Sequence, residues 1–223
     1  MRQSRTAVAT ASGGTAAHRS WRAPARRAVL AGSSLLIALA PLALRPVAAQ
    51  SGPQLVITMA LAGPVQTTGG AYYIAFTVSD SLLQGPQPDS TNWTHYVVFR
   101  DGRFFFGVVP PQTVQPFGFV VIRPPAPFLF GQVLPDGQSL RVSVPLADLR
   151  VSPTPPTRVM VNFVTVDGAN RPLDALGPGA GDRFGFVTVD LRRDLFVPVR
   201  DPRGDAPQAA FDITGGEIRV ATP

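Results

Sequence analysis

Short apolar segments, interrupted by glycine or proline about every ten residues, characterise this chain from residue 50 onward. Glycine and proline supply 21 and 24 of the 223 residues, with no collagen-like period. After the N-terminal segment, no window of eleven or more residues has apolar residues at helical spacing without an intervening glycine or proline. The pattern therefore predicts an all-β protein and argues against βαβ units and a parallel sheet.

Nine strands and one weaker C-terminal pair are predicted from the alternation of apolar residues. The nine are Leu55 to Leu61, Ala71 to Ser79, Trp93 to Arg100, Arg103 to Val109, Phe117 to Ile122, Phe128 to Val133, Ser139 to Val144, Arg158 to Val166 and Phe184 to Asp190. The weaker pair is Phe196 to Arg200 with Glu217 to Ala221. A helical turn is expected only at Pro145 to Leu149.

Two local patterns specify how these strands lie. Asp101-Gly102 separates two runs of β-branched and aromatic residues, and it is the dipeptide preferred in a two-residue hairpin turn because both positions must accept a positive φ. In Ser139 to Val144, apolar residues alternate with Arg141 and Ser143, which predicts one buried face and one solvent-facing face. Antiparallel pairing and a half-buried sheet are therefore expected.

Residues 50–223 are long enough to bury about 70% of their unfolded surface as one domain. The proline-rich pieces at 124–127 and 153–156 are too short to act as linkers. We therefore predict a single, mostly antiparallel β-sandwich of the immunoglobulin-like or jelly-roll type, following an N-terminal signal segment.

The positive charge of the chain is confined to that segment. Residues 1–49 carry seven arginines and no acidic residue, whereas residues 50–223 carry thirteen arginines and fourteen acidic residues, a net charge of −1. A domain that binds nucleic acid keeps its basic excess on the folded body. Although the whole chain has a formal charge of +6, nucleic acid is therefore not an expected partner.

Residues 1–49 have the three parts of an export signal in the correct order. A basic region ends at Arg27, an apolar run extends from Ala28 to Leu44, and small residues follow. We predict cleavage between Ala49 and Gln50. The protein is then secreted or held at the cell surface.

Two alternatives remain for this leader. An uncleaved anchor would give the protein its only contact with the membrane, but the apolar run is at the lower limit of the roughly 17 to 25 residues of a spanning helix and contains Gly32 and Pro41. Arg26-Arg27 is similar to a twin-arginine export motif, so that route is an alternative to the general secretory one.

Few residues offer catalytic chemistry. Without cysteine, disulfides, thiolate metal sites and a cysteine nucleophile are excluded. His95 is the one histidine after the leader, no G-x-S-x-G motif accompanies it, and we interpret it as a strand residue on the same face as Trp93 and Val97. A glycoside hydrolase needs two facing carboxylates, and no pair can be chosen by spacing from thirteen aspartates and Glu217. We predict that the protein is not an enzyme.

Acidic loops near the C-terminus could bind calcium, which prefers oxygen ligands. The first candidate set is Asp201, Asp205 and Asp212, and the alternative set is Asp167, Asn170 and Asp174. Neither set has the spacing of an EF-hand loop. No cofactor other than this calcium ion is expected.

Aromatic residues concentrate between residues 72 and 106. Consecutive residues of a strand point to opposite faces, so Tyr72-Tyr73 and Phe104 to Phe106 cannot all enter one core. One interpretation is a sandwich strand whose outer face is covered by loops. The other is an aromatic platform for a sugar ring or an apolar ligand, with the binding residues Trp93, Tyr96, Arg100, His95 and Tyr73.

Three stretches together resemble secreted bacterial β-sandwich modules of the DOMON and family 9 carbohydrate-binding type. They are Ala71 to Val78, Trp93 to Gly102, and Ser139 to Leu149, where Val144 replaces the isoleucine of the family's "IPL-x-x-L" turn. The resemblance covers about residues 71–150. The tail from Val199 to Ile213 is also similar to a "D-P-x-G-D … D-I" segment of related surface modules, where it opens a domain rather than closing one.

The resemblance implies ligand binding by analogy, since these modules divide between sugar and haem ligands. A haem would take His95 as its axial ligand. We therefore predict an exported, non-catalytic binding or cell-surface module whose leading ligand class is polysaccharide. The alternative is a structural envelope protein that binds another protein, with a glycoside hydrolase or a haem-binding module as less favoured interpretations.

Overall fold

The computed structural model describes residues 52–79, 84–109, 125–177 and 185–221. They all belong to one compact unit, Val47–Pro223. The predicted signal segment with its cleavage point at Ala49 and Gln50, and the predicted strand from Phe117 to Ile122, lie outside the described residues.

Twelve strands occupy the described part of the chain. In chain order they are β1 (Gln54–Leu61), β2 (Gly70–Thr77), β3 (His95–Arg100), β4 (Arg103–Val108), β5 (Ala126–Pro127), β6 (Gly131–Val133), β7 (Ser139–Pro145), β8 (Arg158–Asp167), β9 (Pro172–Ala175), β10 (Val187–Asp190), β11 (Leu195–Arg200) and β12 (Ile213–Ala221). One 3-10 turn, Leu146–Leu149, forms where the sequence predicts it. Within the described ranges, no helix has the length and hydropathy that a membrane crossing requires.

The strands form two antiparallel sheets. Sheet A has the order β11-β12-β1-β7-β6, and sheet B has the order β10-β8-β2-β3-β4-β5, with β9 also paired to β8. The weak pair predicted at the C-terminus is confirmed as β11 and β12, with Val197 opposite Ile218. The predicted all-β antiparallel sandwich is confirmed.

The main core lies between the two sheets, and the alternation of apolar side chains along each strand builds it. In β1, every second residue from Leu55 to Leu61 is buried. The neighbouring β7 buries its apolar residues and leaves Arg141 and Ser143 partly exposed, as predicted. Sheet B contributes the facing side chains Tyr72, Ile74, Phe76, Val97, Phe99, Val161 and Phe163.

The hairpin between β3 and β4 forms at the predicted dipeptide. Asp101 and Gly102 have φ values of +50° and +72°, and Arg100 pairs with Arg103 across the turn. Both central residues are thus in the left-handed region that a type I′ turn requires. The turn fixes which residues of β3 and β4 face inward.

Sheet B is buried on both faces. Tyr72 enters the core between the sheets, whereas Tyr73 lies in a second apolar cluster with Ala71, Ala75 and Val164 on the outer face. Phe104 and Phe106 likewise pack against the main core, and Phe105 packs against the outer cluster. The expectation that consecutive aromatics divide between two faces is confirmed.

The predicted strand from Phe128 to Val133 is wrong as one continuous element. The chain ends its pairing with sheet B at Pro127, turns at Leu129 and Phe130, and enters sheet A at Gly131. The last bond to sheet B is donated by the Phe128 amide to the Phe104 carbonyl at 2.9 Å, and the turn that follows carries the chain to the other sheet. An apolar run that changes sheets has the same sequence pattern as a strand, which explains the error.

Candidate functional site

Four aspartates converge where the two sheets meet, and we call them the carboxylate cluster: Asp174, Asp201, Asp205 and Asp212. Asp174 belongs to β9 of sheet B, and the other three belong to the loop between β11 and β12 of sheet A. One carboxylate oxygen each of Asp174, Asp205 and Asp212 lies within 4.8 Å of the other two. Of the predicted set, Asp205 and Asp212 thus lie together with Asp174, whereas Asp201 lies beside them, close enough to feel their charges.

The loop that carries three of these carboxylates is anchored on sheet B just before Asp212. The Phe211 ring stacks on Tyr72 with centroids 5.2 Å apart, and the Phe211 carbonyl accepts a bond of 2.7 Å from Oγ1 of Thr165. The Tyr72 hydroxyl donates to the Ala210 carbonyl at 3.0 Å. These contacts bury Phe211 and fix the backbone from which Asp212 projects.

Backbone amides orient the most buried carboxylates. Oδ1 of Asp174 accepts from Ala175 at 2.8 Å, and Oδ2 accepts from Ile213 at 2.6 Å. Oδ2 of Asp212 accepts from Gly204 at 2.8 Å. Asp174 and Asp212 are only 8% and 3% exposed, so these amides take the place of water.

Several oxygens of the cluster lack a partner. Oδ1 of Asp201 accepts from Gly177 at 2.8 Å, but its Oδ2 is buried without a hydrogen bond. Oδ1 of Asp212 and both oxygens of Asp205 are also buried and unpartnered. Buried acceptors are normally satisfied, because leaving one unpaired costs about 1 to 3 kcal/mol. Four buried carboxylate oxygens without a hydrogen-bond partner in one cluster are therefore unusual.

The electrostatics of the cluster disfavour four negative charges. Burial, together with the neighbouring carboxylates, raises the pKa of Asp174 to about 7 and that of Asp201 to about 7. The pKa of Asp205 is raised in the same direction, first by burial and then by the charge of Asp212. Among the described residues, none of the four forms an ion pair with arginine. The cluster must therefore take up protons or a cation.

The alternative calcium set does not assemble. Oδ1 of Asp167 accepts from the amides of Ala169 and Arg171 at 2.8 Å each, and its Oδ2 accepts from the Arg171 guanidinium. Asn170 accepts from Arg100 instead. Asp167 and Asn170 thus complete a turn, whereas Asp174 joins the other set.

Three of the predicted ligand-binding residues form a compact group, the aromatic cluster of Tyr73, Trp93 and Tyr96. Their ring centroids are 5.4 to 6.0 Å apart, on the outer face of sheet B. The Trp93 indole donates to the Gln87 carbonyl at 2.6 Å, and the Tyr96 ring covers Gly107 so closely that a Cβ there would overlap it. All three residues are more than nine-tenths buried, which favours the interpretation of a covered outer face.

The other two predicted residues lie elsewhere. His95 shares the inner face with Val97, as predicted, and its ring lies 5.8 Å from that of Phe106. The prediction that Trp93 shares this face is wrong, because the strand begins only at His95. Asn92, just before Trp93, has a φ of +65°, so the chain is still turning there. Arg100 donates to Asn170 at the far end of β3.

An open cavity lies at the edge of the sandwich where the chain crosses from sheet B to sheet A. This edge cavity has a volume of about 450 Å³ and is lined by Phe106, Val108, Phe128, Leu129, Phe130 and Asp148, among others. Phe106 and Phe128 stack with centroids 6.0 Å apart, and Phe130 meets Phe128 edge-on at 5.7 Å. Asp148 is exposed and supplies a carboxylate to the apolar wall.

The sequence alone did not identify this cavity. The sequence predicts a strand over Phe128 and Phe130, in which alternate side chains on one face are buried. Asp148 is twenty residues away in the 3-10 turn, so only the fold places it beside them. The available signal was the proline-rich stretch before Phe128, which marks a break in pairing.

Comparisons with protein-family models, with curated proteins and with solved structures find no match for this chain.

Proposed function

We propose that this chain is an exported, non-catalytic binding module, that its ligand class is polysaccharide, and that the ligand binds in the edge cavity. The composition of residues 1–49 supports export. The edge cavity, rather than the buried aromatic cluster, is the proposed site because its rings reach solvent.

The observation that carries this proposal is the group of three rings beside Asp148, in which Phe106 stacks on Phe128 and Phe130 meets Phe128 edge-on. Aromatic faces attract the C–H surfaces of a sugar ring, and a carboxylate accepts hydrogen bonds from its hydroxyls. A volume of about 450 Å³ is within the range of roughly 300 to 1,000 Å³ for small-molecule sites. A few sugar units of a longer chain would fill it.

Burial of the acid–base groups supports a non-catalytic role. A glycoside hydrolase needs two carboxylates on opposite sides of a bound sugar, whereas Asp174 and Asp212 are almost fully buried. Glu217 is held by Arg141 at 3.5 Å and by Thr58 at 3.3 Å on the outer face of sheet A. His95 is 1% exposed, which is also unfavourable for an axial haem ligand.

Affinity electrophoresis of the full chain through gels containing different soluble polysaccharides tests the proposal. We expect at least one polysaccharide to retard the wild-type protein, and Phe128→Ala to abolish most of that retardation because it removes the central ring. Phe196→Ala is the matched control, since Phe196 is an exposed phenylalanine of sheet A. Its retardation should equal that of the wild type.

The proposal is wrong if no polysaccharide retards the wild-type protein, or if Phe128→Ala is retarded as strongly as Phe196→Ala. Thermal unfolding of both variants shows whether each remains folded. Mass spectrometry of the exported protein tests the localisation, for which a mature chain beginning at Gln50 is expected.

A second candidate function, docking to an envelope protein, is favoured by the exposed apolar side chains around the cavity. Leu129 is 83% exposed and Val108 is 48% exposed, which is typical of surfaces that another protein covers. This function predicts complexes that form without any polysaccharide and are weakened by Leu129→Ser. Retardation of the wild-type protein by a polysaccharide supports the polysaccharide-binding module. Complexes that form without retardation by any polysaccharide support docking to an envelope protein.

A further inference from the structure

We propose that Asp174, Asp205 and Asp212, with Asp201 beside them, form a calcium site that fastens sheet A to sheet B. The inference does not depend on the proposed ligand of the edge cavity. Asp174, which spacing alone assigned to a different set, is the residue that makes the site a link between sheets.

The first argument is geometric. One oxygen from each of Asp174, Asp205 and Asp212 lies within 4.8 Å of the other two. Calcium binds oxygen at about 2.3 to 2.6 Å, so oxygens on opposite sides of the ion are separated by roughly 5 Å. The three carboxylates are therefore close enough to share one ion without rearrangement of the backbone.

The second argument is independent of the clustering. Asp212 is 3% exposed, one of its oxygens is held by the Gly204 amide, and the other has no partner. Both oxygens of Asp205 are also buried and unpartnered. An acceptor that is withdrawn from water and aimed at other acceptors requires a cation or a proton to compensate it.

The ligand chemistry selects calcium among the common ions. All candidate ligands are carboxylate oxygens, whereas zinc and copper favour nitrogen or sulfur, which the cluster does not offer. Magnesium demands near-ideal octahedral geometry and is usually held by one or two carboxylates with several waters, so a cluster of three or four carboxylates suits it less well than calcium. Calcium accepts six to eight oxygens in a flexible arrangement, from carboxylates, carbonyls and water together.

Hydrogen bonds from backbone amides hold the carboxylates in fixed orientations, as the ligands of a metal site are held. Amides of Gly204, Ile213 and Ala175 each hold one carboxylate oxygen in a fixed direction. Hydrogen bonds of this kind orient the ligands of known metal sites and sharpen their affinity. Because Asp174 is in sheet B and Asp212 precedes β12 of sheet A, the ion would join the two layers.

The test is a calorimetric titration of CaCl₂ into the full chain after treatment with EDTA and dialysis, combined with thermal unfolding in excess calcium and in EDTA. We expect one ion per chain and a higher melting temperature in calcium. Asp205→Asn should weaken calcium binding at least about tenfold, because it neutralises a ligand. The control Asp101→Asn changes the same charge at an exposed turn position that tolerates asparagine.

A structural role for Asp205 and a metal-binding role give opposite results in EDTA. Both oxygens of Asp205 are buried without a donor from another residue, and its carboxylate lies against that of Asp212, so Asp205→Asn in EDTA should melt at or above the wild-type temperature, while in calcium it should melt below it. The proposal is overturned if calcium produces neither binding heat nor a shift in the wild-type melting temperature. It is also overturned if Asp205→Asn binds like Asp101→Asn, or if magnesium binds as tightly as calcium.

Discussion

The carboxylate of Asp174 accepts a hydrogen bond of 2.6 Å from the backbone amide of Ile213, and this contact joins an edge strand of sheet B to a strand of sheet A. Ile213 begins β12 and is fully buried. Most of the contact between the two sheets is apolar and has little directional preference, and the bonds from Thr165 and Tyr72 to the loop before β12 are further directed links. A directed bond at this position fixes how β9 lies against β12 and thereby fixes the position of Asp212.

The first prediction concerns this link. Asp174→Ala leaves the amides of Ala175 and Ile213 unpaired in a buried environment, although it also relieves repulsion within the carboxylate cluster. The two effects together should lower the free energy of unfolding by about 2 kcal/mol. Urea denaturation in EDTA measures the change without any contribution from bound metal.

Asp205→Ala is the control for that measurement, because both oxygens of Asp205 lack hydrogen bonds in the structure. It should not lower the stability in EDTA. If the two variants lose stability equally, the loss does not come from the amide bonds that Asp174 accepts, and its role as a link between sheets is wrong.

The second prediction concerns the aromatic cluster. Trp93→Ala removes a ring that contacts Tyr73 and Tyr96 and that is 4% exposed, so it should lower the free energy of unfolding by about 3 to 5 kcal/mol. Phe196→Ala, at a side chain that is 59% exposed, should change it by less than about 0.5 kcal/mol. Chemical denaturation followed by circular dichroism checks both values.

The same variants separate a structural role from ligand binding. If Trp93→Ala keeps wild-type stability but is no longer retarded by a polysaccharide, the Trp93 ring contacts the ligand. The ring must then become accessible when the polysaccharide binds. A variant that unfolds more easily but still binds while it is folded supports the covered-face interpretation.

Local patterns in the sequence were enough to predict most of the fold. The hairpin at Asp101-Gly102 and the inward face of β7 depend on turn chemistry and on a period of two residues, both of which are local. Strand β9 was missed because it has only four residues, begins with a proline and includes the polar Asp174. It forms because β8 offers a partner.

The candidate sites were less predictable because they depend on contacts between distant parts of the chain. Asp201, Asp205 and Asp212 are close in sequence, so their grouping could be proposed. Asp174 joins them only because the loop before β12 is anchored on sheet B through Phe211. The spacing of residues in the sequence does not indicate that this loop packs on sheet B.

The third prediction concerns the close approach of β12 to β1. Gly216 has a φ of +150°, and a Cβ at this position would overlap the carbonyl oxygen of Thr58. Gly216→Ala should therefore lower the free energy of unfolding by more than about 2 kcal/mol. Gly137→Ala is the matched control, because Gly137 has a φ of +66° but open space around it, and it should cost only about 1 kcal/mol. Equal losses would show that backbone conformation alone, and not steric overlap, requires Gly216.

The fourth prediction is a loss of stability in acid that arises from His95. Burial lowers the pKa of His95 from 6.5 to about 4 in the folded protein. Its Nδ1 lies 3.0 Å from Oγ1 of Thr94, whose own hydroxyl donates to the Phe76 carbonyl at 3.0 Å. The neutral ring therefore carries its proton on Nδ1 and fits the core without a charge.

The sign of the effect follows from linkage. Because the unfolded chain binds the proton more tightly, the contribution of His95 to stability is complete above about pH 6.5 and is lost as the pH falls towards 4, by about 3 kcal/mol in total. The raised pKa values of Asp174 and Asp201 act in the opposite direction, since their protonation between pH 7 and 4 favours the folded state. The measurement is therefore the difference in unfolding free energy between the wild type and His95→Phe in EDTA, because the aspartates contribute equally to both proteins. This difference should change by up to about 1.4 kcal/mol per pH unit between pH 6.5 and 4, with the wild type losing stability faster. Parallel curves for the two proteins would mean that His95 is protonated in the folded state or is accessible to water, and would contradict its place in the core.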